Sequence, residues 1–339
     1  MPVNRRYLLI RRPRGTPLPE DFALVSEPVP LPGPGELVIR NHYASLDPAQ
    51  RGWMDDAPSY APPIPLGDPV RAATVGVIHA SADARFHPGE WVVGVNGIED
   101  YSRVPALHPL RRVDVSRMPS PSNFLSGIGA VGLTGYFGLL EVGRPEAGDT
   151  VLVSGAAGAV GSVVGQIAKL RGCHTVGIAG GQEKCRRIRE RYGFDVAIDY
   201  VGKSITQLAT EIGTAAPNGI DILFENVGGD VLDASLLNLA LHARIVLCGL
   251  ISEYNSDHGR IGARNLWELI VKRATVQGFL VRDYADRFEE AGAQVAAWIA
   301  EGKLRIDEHV VDGIERAYDA FMMLFRGTNQ GKMILRLNQ

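Results

Sequence analysis

The 339-residue chain is poor in cysteine, in lysine and in net charge. Cys173, Cys185 and Cys248 are its only cysteines, too few and too scattered for a disulfide framework, and they favour a reducing compartment, so a cytoplasmic location is expected. With the eight histidines they form no CxxC, HExxH or other paired spacing, and the adjacent Cys173 and His174 would face opposite sides of a strand, so no metal site is expected. Thirty-five basic against 38 acidic residues leave a net charge of −3. No tail or stripe of one sign stands out, which argues against nucleic acid as a partner. A GxSxG elbow and any grouping of His with a poised nucleophile are missing too, so the chemistry must come from a cofactor.

Long apolar runs are equally scarce. Residues 118–140 and 150–168 carry no charge, but the first contains Pro119, Pro121 and five glycines and the second a glycine turn. Both read as buried elements of a soluble fold, not as membrane spans. Arg5, Arg6, Arg11, Arg12 and Arg14 surround only Tyr7-Leu8-Leu9-Ile10, too short for a signal-peptide core. The segment reads as an edge strand flanked by solvated charges.

Glycine and proline are abundant, and they are segregated. Nineteen of the 21 prolines lie within residues 1–121, whereas 30 of the 39 glycines follow. Proline cannot donate to a β-ladder, so the short apolar runs of the first part, such as 37–39, 73–78 and 91–95, read as an all-β domain of short strands. Later the pattern alternates, with strands expected at 150–154, 174–179, 195–199, 220–226 and 243–249 and helices at about 159–171, 182–192, 204–213 and 230–240. That rhythm predicts an α/β fold with a doubly wound parallel sheet. The last forty residues return to strand-like runs around a helical stretch from Ile314 to Arg326.

The sharpest motif is the strand Val151-Leu152-Val153 leading into Ser154-Gly155-Ala156-Ala157-Gly158-Ala159-Val160-Gly161. Gly158 lets a backbone approach a pyrophosphate, Gly161 lets the helix pack closely on the sheet, and Ala156 replaces the usual first glycine. A dinucleotide is the expected ligand, held by the helix N-terminus. After the second strand comes Ala179-Gly180-Gly181-Gln182, without the acidic residue that binds a ribose 2′-hydroxyl in NAD sites. Lys184, one of six lysines, opens the next helix where it could meet a 2′-phosphate, with Tyr200 as a second contact. These residues favour NADP.

Blocks spread over nearly the whole chain resemble the zinc-independent medium-chain dehydrogenase/reductase superfamily, in the subgroup of leukotriene B4 12-hydroxydehydrogenase/prostaglandin reductase, alkenal double-bond reductases and curcumin-type reductases. They are Ser45-Leu46-Asp47-Pro48 with Arg51-Gly52-Trp53-Met54, Gly132-Leu133-Thr134-Gly135-Tyr136, the glycine turn, Asn226-Val227-Gly228-Gly229, Cys248 to Asn255, Gly278-Phe279-Leu280-Val281 and Asn329-Gln330-Gly331-Lys332. The resemblance implies a GroES-like β-rich substrate domain over residues 1–125, a Rossmann domain over 126–302, and a segment 303–339 that completes the first. It implies contacts to NADP(H) from Thr134, Gly158, Ala159, Val160, Gly161, Lys184, Tyr200, Asn226, Cys248, Gly249, Leu250, Ile251, Ser252, Tyr254, Phe279, Leu280, Val281 and Asn329. Zinc relatives carry Cys where this chain has Asp47, and Gly-His-Glu where it has Gly67-Asp68-Pro69.

The implied reaction is reduction of a carbon–carbon double bond conjugated to a carbonyl. Tyr254 is the expected catalytic donor to the enolate oxygen, its phenol being protonated at neutral pH. An enal or enone is the expected small-molecule substrate. A quinone oxidoreductase and a non-catalytic NADPH-binding protein are the alternatives. Trp53, Met54, Tyr60 and Tyr101 are candidate pocket linings. Ala49-Gln50 and Ala130 replace larger residues of relatives, which would reshape a pocket wall. Ser256 to Arg264 is a candidate lid. The resemblance also implies a homodimer, for which the apolar run Thr275 to Val281 offers an edge strand.

Overall fold

The computed structural model describes residues 3–105, 107–256 and 262–338, and of Arg117 only the backbone. The chain divides into two compact units. Met1–Ser126, Glu308–Asn329 and Met333–Gln339 form one; Gly127–Asp307 with Gln330–Lys332 form the other.

In the first unit, β1 (Val3–Leu9) and β2 (Phe22–Pro28) make an antiparallel pair. Four of the five arginines of this region have partners, although Arg11 and Arg14 stay exposed as solvated charges would. Arg5 donates to Asp100 at 2.7 Å, Arg6 to Glu99 at 3.0 Å and Arg11 to Asp21 at 2.6 Å, while Arg12 donates to the carbonyls of Met54 and Ile64. Sequence distance hid these partners, which lie up to 95 residues away. The chain continues through β3 (Glu36–Ser45), the short helix α1 (Ala49–Trp53), β4 (Arg71–Ser81), β5 (Trp91–Gly97), β6 (Tyr101–Pro105) and β7 (Leu110–Arg112). Prolines stand in the connections or, as Pro28 and Pro105 do, at a strand end, where a missing N–H costs little of the ladder.

The second unit begins with α2 (Ala130–Phe137) and then alternates: β8 (Thr150–Ser154), α3 (Ala159–Leu170), β9 (His174–Ala179), α4 (Gln182–Glu190), β10 (Val196–Asp199), α5 (Ile205–Ala215), β11 (Ile220–Glu225), α6 (Gly229–Leu236) and β12 (Leu239–Leu247). Next come α7 (Trp267–Lys272), β13 (Thr275–Gly278) and α8 (Phe288–Ala300). The six strands are parallel in the order β10-β9-β8-β11-β12-β13. Alternate side chains enter opposite cores. Val151 and Val153 join Ile222, Phe224 and Val246 in one cluster, whereas Leu152 joins Val176, Ile178, Leu223 and Ile245 in the other, as a parallel strand buried on both faces requires.

One boundary differs from the periodicity. The helix expected to reach residue 240 stops at Leu236 and β12 already runs from Leu239. Asn238 stops it, its side-chain amide donating to the carbonyls of Ala234 and Ala209. Leu239 thus faces a neighbouring strand instead of a helix face, pairing with Ile220.

The chain then returns to the first unit as β14 (Glu308–Asp312), α9 (Ala317–Arg326) and β15 (Lys332–Arg336). These strands extend the larger sheet to the order β14-β15-β3-β4-β5-β7, with β6 paired to β3. Met333, Leu335 and Phe321 enter the same core cluster as Leu9, Leu46 and Ile64.

Candidate active site

The sheet order of the second unit reverses direction between β8 and β11, the topological switch point at which open α/β sheets bind ligands. Gly155 leaves β8 with φ +61°, a conformation that suits glycine. A Cβ on Gly161 would lie 2.5 Å from the Gly155 carbonyl oxygen and 2.9 Å from the Ala156 Cα, so only glycine lets α3 start this close to the strand. Gly158 is the N-cap, and the first turn of α3 carries no acidic residue. The free N–H groups of that turn form an anion cradle at the positive end of the helix. Ala159 and Val160 present two of them. Thr134 stands on α2, its hydroxyl donating to the Ala130 carbonyl at 2.7 Å.

No acid stands at the end of β9, and the acid nearby closes the neighbouring strand β10. The nearby Asp199 is held by the Gly181 N–H at 2.7 Å, the Gln182 amide at 3.2 Å and the Val201 N–H at 3.1 Å. The Tyr200 ring lies against Gly180, 3.2 Å from where a Cβ would stand. Lys184 is partly buried in the first turn of α4. Its ammonium is pushed below its ordinary range by burial, and then by the like charge of Arg187. Arg187 is itself committed to Asp307 at 2.6 Å. Lys184 is therefore a partly desolvated cation short of negative charge, the complement of a phosphate.

Beyond β11 and β12, two turns lock together. The Asn226 side chain donates to the Ser154 carbonyl at 2.8 Å, and the Asn226 backbone carbonyl accepts from the Ile251 N–H at 3.2 Å. Ser252 reaches the Val227 carbonyl through both its N–H, at 2.9 Å, and its hydroxyl, at 2.7 Å. Cys248 and Gly249 donate their N–H groups to the Glu225 carbonyl. Burial pushes the Cys248 thiol up to about 12, so it is no nucleophile at neutral pH. Tyr254 folds back over this turn, and its phenol oxygen accepts the Leu250 N–H at 3.2 Å. Phe279 packs edge-on to Phe224, with ring centroids 6.4 Å apart, ahead of Leu280 and Val281. Sequence reasoning missed Ser154 and Glu225, which tie these turns together. The available signal was a glutamate closing the apolar run of β11.

Asn329 and the candidate pocket residues belong to the first unit. Trp53 and Tyr60 meet edge to face with centroids 6.3 Å apart, and the Arg71 guanidinium lies 5.8 Å from the Trp53 ring centroid. Tyr101 packs instead on His79. Met54 has no exposed surface and belongs to the core cluster, which leaves it nothing to offer a ligand. Gln50 is not a pocket wall either. It is buried, and its amide joins the Asp47 N–H and the carbonyls of Ser45 and Arg71. Of the candidate lid, residues 257–261 lie outside the described residues; at its end Arg264 is bound to Asp233 at 2.6 Å. Among the described residues no group of three or more His, Cys, Asp or Glu side chains could hold a metal ion.

Comparison with known proteins places this geometry. Residues 5–112 match the family described as "N-terminal domain of oxidoreductase" and residues 159–298 the one described as "Zinc-binding dehydrogenase". Over 98% of the chain and 97% of the relative, the sequence is 41% identical to the NADPH-dependent curcumin reductase of Escherichia coli. The chain belongs to the zinc-independent medium-chain dehydrogenase/reductase family. Another member, the NADP(+)-dependent 2-alkenal reductase of Nicotiana tabacum, is 37% identical over 99% of this chain and 98% of its own. The solved structure of CurA from Vibrio vulnificus in complex with NADPH covers 99% of both chains at 43% identity, with a TM-score of 0.92. This medium-chain reductase is an NADP-dependent oxidoreductase. Its own residues fit that cofactor: a glycine cradle at a helix N-terminus and a partly buried lysine lacking negative charge.

Proposed function

We propose that this protein reduces the carbon–carbon double bond of α,β-unsaturated aldehydes and ketones. The observation that carries the reading is Tyr254. Its oxygen is fixed by the Leu250 N–H within the block that follows β12. An N–H donated to a phenol oxygen polarises its O–H and strengthens it as a donor. Bound NADPH supplies a hydride for the β-carbon. Tyr254 donates to the carbonyl oxygen as negative charge gathers there, and a water proton completes the α-carbon. Asn226 and the 248–252 turn orient the cofactor, the first turn of α3 receives its pyrophosphate, and Lys184 with Tyr200 receives the 2′-phosphate. The names of the two curated relatives support the same chemistry.

A panel of 2-alkenals, enones and quinones followed by NADPH absorbance tests the reading, which requires faster turnover on the alkenals or enones than on quinones. With Tyr254→Phe, kcat on an enone is expected to fall about 100-fold while NADPH affinity holds. Full turnover by that variant would remove the donor role.

We assign the first compact unit to substrate binding and the second to the cofactor, with Trp53 and Tyr60 facing substrate. The protein is a homodimer in this reading. Every residue of β13, at the edge of the six-stranded sheet, is exposed, and so are Leu266, Trp267 and Ile270 beside it on and before α7. A second copy would cover both. Light scattering at the monomer mass would overturn it. The three cysteines are free thiols and no helix among the described residues is long and apolar enough to cross a membrane, and we place the protein in the cytoplasm.

A further inference from the structure

At the end of β11 the side chain of Glu225 has no exposed surface. Its Oε1 receives three donors: the Ser154 hydroxyl at 2.9 Å, the Val227 N–H at 2.5 Å and the Gly228 N–H at 2.7 Å. Its Oε2 is buried and receives none. An ionised carboxylate spreads charge over both oxygens and draws donors to both, whereas a carboxylic acid accepts chiefly at its carbonyl oxygen. With three donors on Oε1 and none on Oε2, nothing stabilises negative charge on Oε2, which is the oxygen left to carry a proton.

The surrounding elements supply no counter-ion. From β8 comes Ser154, from the turn after β12 the Cys248 thiol, and from the 251–253 turn the carboxyl of Glu253, which stands 3.3 Å from where a Gly228 Cβ would lie. Glu225 makes no ion pair with a lysine, arginine or histidine among the described residues. A buried carboxyl in that setting keeps its proton instead of paying for an unpaired charge.

We propose that Glu225 works as an un-ionised carboxylic acid, a positioning residue whose carbonyl oxygen holds the ends of β8 and β11 in the shape that receives the cofactor. The chain of contacts is short. Ser154 donates to Glu225 and accepts the Asn226 N–H at 2.7 Å. The 226–228 turn accepts the N–H groups of Ile251 and Ser252. That second turn carries Tyr254. A carboxylate here would also stand beside the glycine turn meant for the cofactor's phosphates and repel them, so the residue serves only when neutral. Burial pushes the carboxyl above its ordinary range despite the opposing pull of its N–H donors. The role given to Glu225 rests on the reading of these turns as the cofactor's, but its protonation does not.

The infrared spectrum of the full-length protein, with and without carbon-13 glutamate, tests the proton directly. A carboxylic-acid carbonyl band at neutral pH that shifts with the label and is lost in Glu225→Gln is expected. Its absence from the wild type overturns the proposal. NADPH binding, followed by nicotinamide fluorescence from neutral to alkaline pH, tests the role. Glu225→Gln keeps the acceptor oxygen, so its Kd at neutral pH should stay within about twofold of wild type. Glu225→Leu strands three donors and should weaken binding at least roughly tenfold. Wild-type affinity should fall as Glu225 ionises at alkaline pH, and the Gln variant should lose that fall. A Gln variant as impaired as the Leu variant, or one with an unchanged alkaline limb, overturns it. Failure of the wild type to bind NADPH would sink the cofactor reading and leave the infrared result standing.

Discussion

Two acids of the second unit sit in opposite surroundings. Asp307, where the chain turns back toward the first unit, accepts from the guanidinium groups of Arg187 and Arg191 and from the Tyr192 hydroxyl at 2.6 Å. Burial alone would raise its carboxyl, but the Arg191, Tyr192 and Arg187 hydrogen bonds outweigh that and hold it well below the ordinary carboxylate range. Glu225 has only neutral donors, on a single oxygen, and burial wins. Lys184 completes the contrast: it is one helical turn from Arg187, yet Asp307 answers the arginine and leaves the lysine for a ligand. Charge at each point is thus set by which donors the fold brings, not by residue type.

The largest break in this contrast is Asp307→Leu. Two guanidinium groups and a phenol lose their common acceptor, and stability should fall by about 3 kcal/mol, read by denaturant unfolding of the full chain. A loss under roughly 1 kcal/mol would show the cluster to be an ordinary surface network.

Lys184→Ala should raise the Kd for NADPH about 30-fold, the worth of one charge-assisted hydrogen bond near 2 kcal/mol, while NADH binding barely moves. Equal losses for both nucleotides would mean that the lysine does not read the 2′-phosphate.

The pH dependence of stability should carry both signatures. Asp307, depressed in the folded state, contributes stability that is present above its unfolded pKa and lost as pH falls through the folded one, so Asp307→Asn should flatten the acid limb of a Tm profile. Glu225, raised in the folded state, contributes stability that is present below its unfolded pKa and lost as pH rises through the folded one, so Glu225→Gln should flatten the alkaline side. Limbs that persist in both variants would assign them to other groups.

The smallest effect belongs to Gln50→Met. Loss of the buried amide's bonds should cost about 1 to 2 kcal/mol with NADPH affinity unchanged. A changed substrate preference without a stability loss would return this position to the pocket wall.

The residues most legible in the sequence were those whose backbone has few alternatives. Gly155, with its positive φ, and Gly161, with no room for a Cβ, mark a strand-to-helix turn whatever surrounds it. Lys184 could be suspected because no acid precedes it at the end of β9. Gln50 and Glu225 were not legible. Each looks like a solvent-facing or mispatterned polar residue until the strands that supply its partners are in place, and Gln50 alone joins residues 45, 47 and 71. The arginines of β1 were misread for the same reason, since Asp100 and Glu99 reach them only through the folded sheet.

By itself, then, the sequence determined the parallel α/β class, the glycine cradle and the preference for a 2′-phosphorylated cofactor. These follow from local backbone geometry and from the presence or absence of a charge at a strand end. Only the tertiary structure decided which polar side chains are charged and which are structural. Solvation and partners set those states, and they are supplied by residues far along the chain, 120 positions away for Arg187 and Asp307.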